Sequence, residues 1–124
     1  MNRRVLAAVG DIFFASKIRG TAEHLNVTAE FAASADALFD TAKADVPSLI
    51  ILDLHNEKLD PFALAARLKA DEQLRGVPLV GFYSHVRTEL RARGERAGID
   101  RVLPRSAFTN QLPQLLLGES SGQN

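Results

Sequence analysis

Two carboxylates stand at the ends of apolar runs in this chain. Asp53 closes Ser48-Leu49-Ile50-Ile51-Leu52-Asp53-Leu54, and Asp11 follows the shorter run Val5 to Val9 and Gly10. A short stretch of branched aliphatic residues bounded by turn signals reads as a strand buried on both faces, as in a parallel sheet. Acids at the carboxyl ends of such strands lie where open α/β folds place their ligand sites. Two carboxylates from adjacent strand ends would meet at one crevice. His55 and His85 fall near the same edge and could widen that set to a transition metal, but the histidines lack ligand spacing. His24 reads as a surface residue. Plainer roles stay open: Asp11 can cap a helix that starts at Ile12, and Asp53 can cap the turn that follows it.

The elements that must position these acids alternate along the chain. Val5 to Val9 is a strand broken by Gly10-Asp11. Ile12 to Leu25 is helical, with Ile12, Phe14, Ala15, Ile18, Ala22 and Leu25 spaced to face inward. Val27 to Ala32 alternates like a half-exposed strand. Ser34 can cap a helix from Ala35 to about Ala44, and Pro47 restarts the chain as the Asp53 strand. Asp60-Pro61 opens a third helix to Ala70. Leu79 to Tyr83 is a fourth strand, and Val86 to Ala97 a helix with Gly98 as its C-cap candidate. Arg101 to Leu103 is a fifth strand, and Phe108 to Leu117 a last helix. Residues 1–117 are expected to form one domain, and 118–124 a disordered tail.

Five strand–helix repeats imply right-handed βαβ units and a parallel sheet covered on both faces. The economical choice is a flavodoxin-like (βα)5 three-layer sandwich with strand order 2-1-3-4-5. Its switch point brings Gly10-Asp11 beside Asp53.

Composition narrows the function. The 124 residues are 46% hydrophobic and 24% charged, with fifteen basic and fifteen acidic residues and zero net charge. No global field draws the chain to nucleic acid or an anionic membrane. The arginines from Arg87 to Arg105 are interleaved with Glu89, Glu95 and Asp100, so they read as a solvated face with ion pairs. No cysteine is present, which rules out disulfides and thiolate metal sites. No signal peptide or membrane-spanning run is read, and a cytoplasmic location is expected.

The chain resembles the receiver domain of bacterial response regulators over about residues 4 to 117. The positions that carry the resemblance are Asp11 after the first strand, Asp53 ending the third, and Gly98-Ile99-Asp100 before the fifth. Arg105-Ser106-Ala107-Phe108 stands where receivers carry Lys-Pro-Phe. The resemblance implies Asp53 as phosphoacceptor. It implies Tyr83, Ser84 and Arg105 around the phosphoryl group, and Asp11, Asp53 and the His55 backbone carbonyl as ligands for weakly held Mg²⁺. The pattern is incomplete. Gly10 replaces one acid of the usual pair, Tyr83 the small switch hydroxyl, Arg105 the lysine, Ser106 its proline, and Val102 the aromatic switch residue. Arginine is permanently charged and can grip a carboxylate at both oxygens, so a resting Asp53–Arg105 pair is expected to neutralise the pocket without metal.

The expected function is therefore a stand-alone, pseudo-receiver signalling module, not an enzyme. It would act through protein–protein interaction with degenerate or no phosphorylation switching. Its partner would be a signalling protein or a histidine kinase, with a homodimer through the fourth helix, fifth strand and fifth helix as a further form. The alternative is a working single-domain response regulator, phosphorylated on Asp53 within a phosphorelay. With the chain ending after its fifth helix, output is expected to pass through binding. A small flavodoxin-like enzyme lacks the glycine-rich phosphate loop it would need after the first strand.

Overall fold

The computed structural model describes residues 3–118. Ten elements alternate: β1 (Arg4–Ala8), α1 (Ile12–His24), β2 (Thr28–Phe31), α2 (Ala35–Ala44), β3 (Leu49–Asp53), α3 (Pro61–Ala70), β4 (Leu79–Tyr83), α4 (Glu89–Arg96), β5 (Arg101–Pro104) and α5 (Arg105–Leu117). The strands form one sheet in the order β2-β1-β3-β4-β5 with every pairing parallel, as expected for a flavodoxin-like sandwich.

Strand pleat divides the core into two layers. Ile50 and Leu52 of β3 pack on one face with Leu38, Leu64, Leu68 and Leu90, which belong to α2, α3 and α4. Leu49 and Ile51 point to the other face, against Ile18 of α1 and Phe108 and Leu112 of α5. All five residues of β3 and of β4 are buried, which is why both runs read as continuously apolar. β2 and β5 are the edge strands, and the burial of β2 alternates.

Local caps follow the sequence. The carboxylate of Asp11 caps α1, the Ser34 hydroxyl accepts the Ala37 N–H, and Asp60 caps α3 ahead of Pro61. Asp60 sits at φ 53, in the left-handed region that aspartate tolerates better than most residues.

Several boundaries differ from expectation. α5 opens at Arg105 rather than Phe108, because Pro104 supplies extended geometry at the N-cap and nothing in Arg-Ser-Ala breaks a helix. α4 opens at Glu89 rather than Val86: residues 84–87 close a turn in which the Arg87 N–H donates to the Ser84 carbonyl at 2.8 Å. Ile12 was expected to face the core, yet it is largely exposed on the first turn of α1. Gly118 is no part of a tail: at φ 77 it is the C-cap of α5. Residues 119–124, the rest of the expected tail, lie outside the described residues. Among the described residues no helix is long and apolar enough to cross a membrane.

Candidate functional site

β1 and β3 are neighbours, with Ala8 opposite Leu52, so the chain after β1 passes the carboxyl end of β3. Asp53 is the one polar or charged residue buried among those described, at 2% exposure. Its carboxylate is held from both sides by backbone: Oδ2 accepts the Gly10 N–H at 3.2 Å and Oδ1 the His55 N–H at 3.0 Å. A buried carboxylate is tolerated only when its oxygens find donors, and these amides supply them. The absence of a side chain at Gly10 leaves room beside them for Asn56, whose Cγ would lie 3.4 Å from a Cβ at position 10.

A cavity of about 500 Å³ opens over this carboxylate, lined by Asp11, Asp53, His55, Lys58 and Arg105 among others. Asp11 and Asp53 therefore share one crevice, as their strand-end positions predict. They are not equivalent. Asp11 Oδ1 is engaged by the amides of Phe13 at 2.8 Å and Phe14 at 3.3 Å, so the helix-capping role and the pocket role coexist in one side chain.

Arg105 corrects the sequence reading. It lines the cavity but makes no ion pair with Asp53 among the described residues. Its guanidinium carbon lies 5.3 Å from the centroid of the Phe14 ring. That ring is stacked at 4.9 Å on Phe82, which stacks at 4.6 Å on Phe108, so the cation tops an aromatic column. Its buried Nε lacks a hydrogen-bond partner. The two amides already satisfy Asp53, and a cation over an aromatic face keeps much of its attraction without losing its remaining hydration.

Tyr83 and Ser84 do not line this cavity. The Tyr83 ring is 4% exposed and belongs to the core layer of Leu54, Leu90 and Val102, under α4. Ser84 turns its backbone N–H to the Nε2 of His55 at 2.8 Å. The sequence singled out His55 for its backbone carbonyl. That oxygen accepts the Glu57 N–H at 3.0 Å, while the ring does a job no local pattern announces: it braces the loop after β3 against the loop after β4. Burial lowers the pKa of His55, and the field of Arg105 lowers it further.

α4 lies close on the sheet at Gly94, and β4 beneath it is tightly packed at Gly81. A Cβ at Gly94 would sit 3.1 Å from Val102 Cγ2, and one at Gly81 would sit 3.0 Å from Leu54 Cδ2. The space between α4 and the strands β4 and β5 is thus filled by Tyr83, Leu54, Val102 and Ile99 at normal packing distance.

No group of three or more His, Cys, Asp or Glu is placed to hold a metal among the described residues, which disposes of the transition-metal set with His55 and His85. Asp11 and Asp53 remain as two carboxylates at one cavity. That donor set fits Mg²⁺, which takes one or two carboxylates and keeps several waters.

No protein-family profile matches the chain, and no curated protein matches it. Solved structures do. A chemotaxis response regulator of Vibrio cholerae superposes with a TM-score of 0.80 at 18% identity, over 95% of this chain and 98% of that one. The receiver domain of a sensor histidine kinase from Pseudomonas aeruginosa, with a magnesium ion coordinated in its active site cleft, gives 0.78 at 18% identity, over 96% and 100%. A phosphorylated cyanobacterial phytochrome response regulator gives 0.77 at 17% identity, over 95% and 91%. This chain has the fold of response regulator receiver domains. Within that fold, Asp53 stands at the carboxyl end of the third strand.

Proposed function

We propose that this chain is a receiver-type signalling module that works by binding a protein partner, with its phosphorylation switch degenerate or lost. The observation that carries this reading is the packing beneath α4. A receiver switch, as the resemblance describes it, needs a small hydroxyl residue on β4 that moves and an aromatic ring on β5 that follows into the gap. Here the large ring is Tyr83, buried in the core, and the small side chain is Val102, pressed against Gly94. That layer lacks the small hydroxyl and the ring whose exchange would give it a second arrangement, and a ligand event biases only elements that have one. Output then rests on the surface the fold presents at all times. The test is to record amide chemical shifts with and without beryllofluoride and Mg²⁺. Changes confined to the Asp53 crevice support the reading, and large changes spreading over α4 and α5 would overturn it.

A second reading has its own support. Asp53 is buried, is held by two amides, faces a cavity shared with Asp11, and can join that residue and the His55 carbonyl in holding Mg²⁺. These features suit a phosphoacceptor served by a histidine kinase, where bound magnesium would neutralise charge on the incoming phosphoryl oxygens. Intact mass after incubation with Mg²⁺ and a small phosphodonor separates the readings at the chemical step. A single phosphoryl adduct that Asp53→Ala abolishes would establish the phosphoacceptor. The partner is expected to bind wild type and Asp53→Ala alike if the first reading holds. A cytoplasmic location fits either.

A further inference from the structure

A second cavity, of about 280 Å³, lies on the opposite side of the His55 loop, between the start of α3 and α4. Its floor is apolar, made by Leu54, Phe62 and Leu90. Its lining takes Glu57 and Asp60 from the chain before α3, and Arg87 and Arg93 from the loop before α4 and from α4 itself. The Arg93 guanidinium is 4.1 Å from the Phe62 centroid, so it is fixed at the rim. Arg87 is bonded through Nε to Glu89 at 2.7 Å. Val86, the residue before the lining Arg87, is 72% exposed on the loop before α4.

We propose that this groove is a self-association surface, in which two copies of the chain meet about a two-fold axis. Each copy lays Val86 on the other's apolar floor, and each sets its Glu57 and Asp60 against the other's Arg87 and Arg93. A two-fold interface requires a patch that complements itself, so that each residue contact is made twice. A groove lined by an acidic pair and a basic pair has that property. An acidic partner would be repelled by Glu57 and Asp60, and a basic one by Arg87 and Arg93. A second copy supplies both signs in the required order, and with zero net charge no long-range field opposes the encounter.

The other side of α4 is less suited to the task. Arg91 pairs with Glu95 there, Arg101 donates to Gln111, and the one large exposed apolar residue of α4, β5 and α5 is Leu117 at the far end. The proposed contact uses the edge of α4 that faces α3, in place of the surface of α4, β5 and α5. The small groove implies a weak, salt-sensitive dimer rather than an obligate one. It concerns the unmodified protein and stands whether or not Asp53 accepts a phosphoryl group.

Sedimentation of the full chain over a concentration series, at low and high ionic strength, is the test. A monomer–dimer equilibrium that weakens with salt is expected. Val86→Glu alters an exposed loop residue and should raise the dimer dissociation constant about tenfold or more. Glu57→Arg and Arg93→Glu should each weaken it similarly, and the double variant, which exchanges the two charges, should regain most of the loss. That recovery is a readout that a merely misfolded variant would not give. A chain that stays monomeric at every concentration overturns the proposal and leaves the groove to a different protein. A dimer indifferent to Val86→Glu and Glu57→Arg, or a double variant no better than the single ones, overturns it as well.

Discussion

The imidazole Nε2 of His55 accepts the backbone N–H of Ser84 at 2.8 Å, joining the loops that follow β3 and β4. An accepting Nε2 means a neutral ring with its proton on Nδ1. Burial and the nearby Arg105 guanidinium both favour that neutral form and hold the pKa below its usual value. In the unfolded chain the ring titrates near about 6.5. The unfolded state therefore binds the proton first, so the bond's contribution is complete above about pH 6.5 and is lost as pH falls towards the lowered folded value. Ring resonances followed by NMR should place the His55 midpoint below that of free histidine. The stability difference between wild type and His55→Ala should shrink as pH falls through that window. A midpoint at or above the free value would show that the ring is not the acceptor.

Gly94 and Val102 give a second measurable relationship. Replacing a helical glycine with alanine ordinarily favours the helix by about 1 kcal/mol. Here the added methyl meets Val102 Cγ2 at 3.1 Å, and forcing extra volume into a packed layer costs about 1–3 kcal/mol. The clash should win, and Gly94→Ala is expected to lower stability by about 1 kcal/mol, within the difference of those two effects. In a Val102→Ala background the same change should become neutral or stabilising. Urea denaturation of the four proteins in this cycle measures it. A stabilising Gly94→Ala in the wild type would mean that α4 rides loosely on the sheet and is free to move.

Tyr83 tests whether size or hydroxyl matters on β4. Its ring is buried with Leu54, Leu90 and Val102, and its hydroxyl makes no hydrogen bond among the described residues. Tyr83→Phe should leave stability within about 0.5 kcal/mol. Tyr83→Thr, which restores a small hydroxyl, opens a cavity and should cost about 3 kcal/mol or more, in the range of aromatic truncations. Thermal melts of the two variants suffice to check this. A large loss in Tyr83→Phe would give the phenol a polar role that the packing does not suggest.

The fold was legible because it is written in short-range pattern. Runs such as Leu49–Asp53 and Leu79–Tyr83 are apolar throughout since both faces are covered, and Ser34, Asp11 and Asp60-Pro61 cap the helices they precede. The shared crevice of Asp11 and Asp53 followed from strand order alone. What was not legible depends on where long side chains point. Arg105 has Asp53 and Phe14 within its reach, and position in the chain does not choose between them. The His55–Ser84 bond joins residues of different loops, and the seat of α4 on Val102 depends on a side chain that Gly94 does not have. Ile12 kept the helical spacing of a core residue but falls on the first turn of α1, ahead of where that helix meets the sheet.

Arg105 offers the sharpest test of the site's electrostatics. If it neutralised Asp53, removing it would strand a buried carboxylate, and such losses are severe, about 3–5 kcal/mol. The geometry says otherwise: Asp53 is satisfied by the amides of Gly10 and His55, and Arg105 rests on Phe14. Arg105→Met keeps much of the apolar stem and should cost only about 0.5–1 kcal/mol, the usual size of a cation–π contact near the surface. The same change removes a positive charge that disfavours protonation of His55, so the His55 midpoint should move up towards its free value. NMR titration of His55 and urea denaturation of the same variant read the two effects independently. A loss of several kcal/mol with an unmoved His55 would return Arg105 to Asp53, and with it the ion pair that the sequence led us to expect.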